Sequence, residues 1–460
     1  MTQTNLGVCL MNMANRGANA DRVALLAESV AAIRSALEVH SQGTTPVAWA
    51  QTQVTLGAAL HGQAESSEGA ERARLLEESE AAFRSALEVC TRDDLPKDWA
   101  QIQTGLAGIL SEKADPASGA ERAALLESAL AALRSALEVR TREALPKLWA
   151  HNQLSLANTL SKQAMSFTGA ERAGLLSEAV TAYRSAFEVY SRTTAPQDWA
   201  LAQYNLAGTL MDQADASVAT ERRALLADAV SAYHSALEVR TKDSLPLAWA
   251  ATQINLATAL SALSEYAGEA DQHRLRTEAI AALESGLEVQ TREAAPYDWA
   301  TAQGNIGMFL FSESQSFEGL ERSNRVRAAQ AAMERALEVF TRESDPQKWA
   351  IHQGQLALIH TERARSASGI VRQRFLEKAI SAHRSALQVL TKEDSPMSWA
   401  TGQGNLAYTL YDLAEEAQGS ERTRVLEKAL DANHLAMEVY RQTAVTRAWL
   451  TTQYTLALTL

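Results

Sequence analysis

Residues 96–110 read PKDWAQIQTGLAGIL, from Pro96 to Leu110. The skeleton Pro-x-x-Trp-Ala-x-x-Gln-x-x-Leu-small-x-x-Leu returns every 50 residues, and all nine tryptophans are its fourth residue, from Trp49 to Trp449. A strict period of this size is the mark of a solenoid, in which each unit buries its apolar face against its neighbours rather than in one globular core. It overrides the prior of about three domains that 460 residues would suggest. The expectation is one solenoid over residues 1–460, with ten copies of a first helix (A) and nine of a second (B). The sequence enters and leaves this pattern inside a motif, so both ends are expected to be open, with end-to-end self-association or a flanking domain to cover them.

Helix A of the first complete copy is expected over about Pro46 to Ala64, because proline suits the first helical position, where no amide donor is needed. At about 100° per residue Trp49, Gln53, Leu56 and Leu60 share one face, flanked by Ala50, Gly57 and Ala64. The position of Gly57 is Gly or Ala in every copy, which fits a close helix approach. Helix B is expected over about Ala70 to Thr91, with a stripe through Leu76, Phe83 and Leu87 and with Ala82 and Ala86 beside it. A polar loop, often ending in glycine (Gly69, Gly119, Gly169, Gly319, Gly369, Gly419), joins A to B. Such short links make consecutive helices antiparallel neighbours. The pairs Glu88–Arg92, Glu138–Arg142, Glu188–Arg192, Glu288–Arg292 and Glu338–Arg342 have i,i+4 spacing and read as solvated pairs along helix B.

These residues resemble the tetratricopeptide repeat (TPR), whose pattern is Trp-x-x-Leu-Gly-x-x-Tyr, Ala-x-x-x-Phe and then Pro over 34 residues. Leu56, Gly57 and Leu60 match the first part, with Gln53 in place of the Trp. Ala179, Tyr183 and Ala186 match the second, and Pro96 the third. The chain is most similar to the long-repeat variants of kinesin light chains and of multi-repeat bacterial signalling proteins. The resemblance implies an all-α, TPR-like α-solenoid, a right-handed superhelix of antiparallel helix pairs with helices A on its concave side. It implies a protein-binding scaffold or sensor array. A second reading is the regulatory arm of a larger enzyme, a protease or NTPase, whose catalytic domain lies outside this chain.

Composition narrows the partner. The net charge is −12 and no dense Lys/Arg run appears, which argues against nucleic acid. No apolar stretch reaches the roughly 18 residues of a membrane span, and no signal peptide is read at the N-terminus. Cys9 and Cys90 are the only cysteines, which favours a reducing, cytoplasmic setting. No glycine-rich phosphate loop, nucleophile elbow or ligand-spaced histidine set is found, so no enzyme activity, cofactor or metal is expected. His352 and His360 share a helix A but sit two turns apart without a carboxylate or cysteine at ligand spacing.

Three features remain as candidates. The glutamines from Gln3 to Gln453 recur at the centre of the helix-A stripe; a buried amide there must be hydrogen-bonded, which makes them structural rather than a peptide-gripping ladder. Asn5, Asn205, Asn255, Asn305 and Asn405 lie off that stripe and either brace the next helix or hold a peptide backbone. Helix-A positions off the stripe vary freely and include Tyr204, Met211, Met308, Phe311, Tyr408 and Tyr411, with Ile254 and Leu358 at the same helix positions. Either they pack on the adjacent helix A, or they form an apolar track for a ligand. The peptide-binding expectation is therefore Tyr204, Asn205, Met211, Asn255, Asn305, Met308, Phe311, Asn405, Tyr408 and Tyr411.

Overall fold

The computed structural model describes residues 2–14 and 19–443, and the described residues form helices and turns without a strand. The tenth copy of helix A, with Trp449, Gln453, Leu456 and Leu460, lies outside the described residues. The helices group into two compact units, Met1–Val239 and Arg240–Leu460.

In the first unit the A helices are α1 (Thr2–Ala14), α3 (Pro46–Ala64), α5 (Pro96–Lys113), α7 (Pro146–Ala164) and α9 (Pro196–Asp215). The B helices are α2 (Asn19–Leu37), α4 (Gly69–Leu87), α6 (Gly119–Val139), α8 (Gly169–Ala186) and α10 (Ala219–Leu237). In the second unit the A helices are α11 (Pro246–Ser264), α13 (Pro296–Ser314), α15 (Pro346–Arg365) and α17 (Pro396–Glu416). Its B helices are α12 (Glu269–Leu287), α14 (Gly319–Leu337), α16 (Gly369–Leu387) and α18 (Gly419–Thr443). Within each unit every A helix packs most extensively on the B helix that follows it, and consecutive A helices also touch, as α5 touches α7 and α15 touches α17.

Helix A starts and stops where the motif places it. Pro46 opens α3, and the buried residues are Ala50, Thr52, Leu56, Gly57, Ala59, Leu60 and Ala64. They cover a wider arc than the expected stripe, because the helix is wedged between its own B helix and the neighbouring A helix. Where α3 crosses α4, Ser79 Oγ donates to the Gly57 carbonyl at 2.7 Å. A Cβ on Gly57 would stand 2.9 Å from the Phe83 ring, so the small residue there is a packing requirement. Entry into helix B uses a residue at φ 54–61° in six repeats, always glycine, since a Cβ is strained in the left-handed region. The two repeats with Ala219 and Glu269 there are entered from Val218 at φ −73° and Gly268 at φ −69° instead.

Helix B ends earlier than the sequence pattern suggests. Helix α4 stops at Leu87, and the chain turns at Val89, with the Thr91 hydroxyl bonded to the Asp94 carboxylate at 2.7 Å and accepting from the Asp94 amide at 3.2 Å. The expected pairs within helix B are accordingly replaced by pairs between repeats. Arg92 reaches Glu138 at 2.6 Å, Arg292 reaches Glu338 at 2.5 Å and Lys392 reaches Glu438 at 2.7 Å. Arg142–Glu188, Arg192–Glu238 and Lys242–Glu288 repeat the contact. The same cation lies over the next tryptophan, 5.8 Å for Arg92 and Trp99, 5.7 Å for Arg292 and Trp299. A half-exposed ion pair is worth about 0–1 kcal/mol, so the ladder sets repeat spacing more than total stability.

The glutamine ladder departs from expectation as well. Gln303 is buried and accepts from Arg335 at 3.2 Å, but Gln53, Gln103, Gln153, Gln203, Gln253, Gln353 and Gln403 are half-buried and Gln3 is exposed. The buried place is taken by the residue just before it, such as Thr52, Ile102 or Asn152, which faces the neighbouring A helix.

Candidate binding surface

The A helices of each unit lie side by side, so their free faces form a surface. The asparagine position borders the contact between neighbouring A helices: its residues, from Asn205 to Asn405, are half-buried and not clear of the packing.

In the first unit, Tyr204, Asn205 and Met211 of α9 are held within the protein. Asn205 Nδ2 donates to Asn158 Oδ1 of α7 at 3.0 Å, and the Tyr183 hydroxyl donates to the same oxygen. Tyr204 meets Tyr233 edge-on at 5.8 Å, and the Tyr233 hydroxyl reaches Met211 Sδ at 3.9 Å. Burial, with Tyr204 and Asp212 nearby, pushes the Tyr233 phenol above its ordinary range. This group braces adjacent repeats.

In the second unit the corresponding side chains surround space. Met308 and Phe311 of α13 pack partly on the core formed by Val326, Met333, Leu356 and Ile359. Beyond them a recess of about 310 Å³ is lined by Phe311, Leu358, Glu362, Arg365, Asn405 and Tyr408, among others, from α13, α15 and α17. Arg365 crosses it. Its Nη2 donates to the Tyr408 hydroxyl at 3.2 Å, its guanidinium lies 5.6 Å from the Tyr408 ring centre, and its Nη1 pairs with Glu362 at 2.9 Å. Glu362 is buried and also takes Arg322 at 2.6 Å. Below, the Thr361 and Thr409 hydroxyls meet at 3.2 Å and tie α15 to α17. The structure thus brings together Phe311, Asn405 and Tyr408 of the expected set, with Leu358. Tyr411 is half-buried one turn beyond Tyr408, and Asn255 and Asn305 are half-buried on α11 and α13.

Sequence reasoning missed the charged members. Glu362 belongs to a family of carboxylates near the ends of A helices, each met by an arginine from the start of a B helix: Glu112 with Arg72 at 2.8 Å, Asp212 with Arg172 at 2.9 Å, Glu362 with Arg322; Arg365 adds a second cation to Glu362 from its own helix. The signal was the Glu-Arg pair after the loop glycine, as in Glu71-Arg72 and Glu171-Arg172. The histidines play local roles: His352 Nδ1 bonds the Lys348 carbonyl at 2.6 Å and His360 stacks on Phe375 at 6.1 Å. Among the described residues no cluster of His, Cys, Asp or Glu could hold a metal ion, and no helix is long and apolar enough to cross a membrane.

No protein-family model matches the chain, and no curated protein matches it. Among solved structures it resembles the apo form of RapI, at 10% identity over 89% of this chain and 96% of that one, with a TM-score of 0.50. The fold is an all-α, TPR-like solenoid of helix pairs. Human IFIT1, solved as a dimer with PPP-AAAA, aligns at 14% identity over 95% of this chain and 79% of its own, with a TM-score of 0.39. Yeast Tom70 aligns at 16% identity over 98% and 92%, with a TM-score of 0.21.

Proposed function

We propose that the chain is a binding protein that holds a polypeptide on the A-helix surface of its second unit, across α13, α15 and α17. One observation carries the reading: the recess of about 310 Å³ gathers Phe311, Leu358, Tyr408, Asn405 and the Arg365–Glu362 pair on three successive A helices. Aromatic anchors and an arginine are the side chains that most often dominate protein interfaces. Asn405 supplies an amide able both to donate to and to accept from a peptide backbone. Tyr204, Asn205 and Met211 serve on this reading as braces, since their polar and aromatic groups are engaged inside the first unit.

The test is a random peptide library selected on the full chain, followed by affinity measurement of the enriched sequence. Tyr408→Ala together with Tyr411→Ala should leave helical content intact and weaken binding at least about tenfold, or 1.4 kcal/mol. Binding unchanged by the double variant would move the site off this surface.

A further inference from the structure

Consecutive A helices meet along a seam built from three residues: one from each A helix, and one from just past the end of the intervening B helix. At the seam between α3 and α5 these are Val54, Ile102 and Cys90, which share one apolar core. Between α5 and α7 they are Thr104, Asn152 and Arg140. The Arg140 guanidinium donates to Thr104 Oγ1 at 2.9 Å and to Asn152 Oδ1 at 3.2 Å. Between α13 and α15 they are Gly304, His352 and Phe340. Here the His352 ring occupies the gap that glycine leaves: its Nε2 stands 2.1 Å from where a Gly304 Cβ would be, and Phe340 packs on it at 5.3 Å between ring centres. Between α15 and α17 the three are Gly354, Gly402 and Leu390. Both A helices carry glycine here: a Cβ on Gly354 would meet nothing within 4 Å, one on Gly402 would meet the tip of the Leu387 side chain at 3.0 Å, and a cavity of about 310 Å³ lies between them.

The walls of this cavity are apolar with a few uncharged polar groups. No charged side chain lines it; the polar groups are Gln355, Ser398, Thr401, Asn405 and His383. His383 takes a helix-B core position that holds Ile33, Phe83, Leu133, Tyr183, Tyr233, Leu283 and Met333 in the repeats before it and the buried Asn433 in the one after. It is 1% exposed and its Nε2 has no hydrogen-bond partner. Burial lowers its pKa to about 4, so the ring is neutral near pH 7. An unpaired buried nitrogen is a cost that a well-packed repeat avoids and a bound group can remove. Half-exposed Ile351 and partly covered Met397 stand at the rim.

We propose that the cavity between α15, α16 and α17 is a binding site for an uncharged planar ring carrying a hydrogen-bonding group, the kind of group that His352 supplies one repeat earlier. Gly354 makes the room, Leu387, leaning over Gly402, and Leu390 give the apolar floor, and His383 and Asn405 meet the polar edge. A volume near 310 Å³ is at the small end of ligand pockets and suits a single or fused ring. The ring can be a free molecule or the side chain of a bound peptide. The cavity adjoins the peptide surface proposed above and shares Leu358 and Asn405 with it, but neither Tyr408 nor Tyr411 lines it, so the Tyr408 and Tyr411 substitutions tell the two sites apart.

The experiment is ligand-observed NMR on the full chain with p-cresol, indole, toluene and benzoate. p-Cresol and indole should bind, toluene about fivefold more weakly than p-cresol, and benzoate least. Gly402→His rebuilds the filled seam of Gly304 and His352 and should weaken p-cresol binding more than about tenfold with helical content unchanged. Gly354→Val, the residue type of Val54, is a second filler should the first misfold. His383→Leu should keep toluene binding and remove the roughly fivefold advantage of p-cresol. A capped Gly-Tyr-Gly peptide run alongside separates the sources: tighter binding than p-cresol marks a side-chain pocket, weaker binding a pocket for a free ring. If no ring binds with a Kd below roughly 10 mM, if both fillers leave binding intact, or if benzoate equals p-cresol, the proposal is overturned.

Discussion

The seam between α5 and α7 and the seam between α15 and α17 come from the same repeat and are finished in opposite ways. The first is closed by a buried arginine, Arg140, shared between Thr104 and Asn152. The second has glycines on both A helices, an unpaired imidazole on α16 and an open cavity. The helices on either side are the same length to within three residues, from 18 in α5 to 21 in α17. The period therefore fixes helices and crossings, and leaves the seam interior free to be packed, braced or emptied. In a solenoid a change at one seam reaches only the adjoining repeats, so a cavity can be opened there without unfolding the rest.

The comparison breaks most visibly at the helix-B core position. Phe83 is 4% exposed, wedged against Gly57 and Gly105, where a Cβ would stand 2.9 Å and 2.6 Å from its ring. Phe83→Ala should cost about 3–5 kcal/mol, since two glycine-bearing helices cannot close the hole. His383→Leu should cost under about 1.5 kcal/mol or stabilise, because it removes an unsatisfied nitrogen and brings a residue type used elsewhere at this place. Hydrogen exchange of the flanking helices is the right measurement, because long repeat arrays do not unfold in two states. Equal losses in the two variants would show that this core position is packed alike in the two repeats.

A smaller effect separates two glycines at one repeat position. Gly304→Ala drives a methyl into the His352 ring, which is held by its bond to the Lys348 carbonyl and by Phe340, and should cost about 1–3 kcal/mol. Gly354→Ala meets open space in the middle of a helix and should gain about 0.5–1 kcal/mol. The readout is again exchange protection, in α13–α15 for one and α15–α17 for the other. A loss at Gly354 as large as at Gly304 would mean that the cavity closes in solution.

The Pro-x-x-Trp-Ala motif made the A helices legible to the residue, because proline marks an N-terminus by its own chemistry. Helix B was legible at its start and not at its end. Arg92 is four residues from Glu88 and 46 from Glu138, and nothing in the local pattern says that the longer pairing wins; a turn held by Thr91 and Asp94 decides it. The glutamine ladder misled for a related reason. Periodicity gives the direction of a side chain, but how deeply Gln53 is covered depends on a neighbouring helix that is not in the same stretch of sequence. Of the candidate site, Phe311, Asn405 and Tyr408 were readable as variable positions on a constant frame. The cavity beneath was not, because it needs glycines 48 residues apart, Gly354 and Gly402, to face each other.

The smallest expected effect is a difference in pH response between two histidines, one in each unit. His61 in α3 bonds Glu112 of α5 at 2.6 Å, and Arg72 holds the other carboxylate oxygen at 2.8 Å. Burial works to lower the His61 pKa, but the hydrogen bond and charge of Glu112 outweigh it and raise it above the ordinary 6.5. The folded protein then binds the proton more tightly than the unfolded chain. The His61 contribution is complete below pH 6.5 and is lost as pH rises through the folded pKa. Burial likewise works to raise the Glu112 pKa, but His61 and Arg72 keep it below its ordinary 4.5, so its contribution is lost only as pH falls through that lowered value. The clasp is whole between about pH 4.5 and 6.5. His383 runs the other way. Its pKa is lowered by burial to about 4, so the unfolded chain binds the proton more tightly. Its neutral ring is fully compatible with the fold above pH 6.5, and stability is lost as pH falls from there toward 4. Exchange protection should therefore decline around α3–α5 on going from pH 6 to 8, and around α16 on going from pH 6.5 to 5. His61→Gln should flatten the first profile and His383→Leu the second, each leaving the other unchanged. Profiles that respond to neither substitution would assign the pH dependence to other groups.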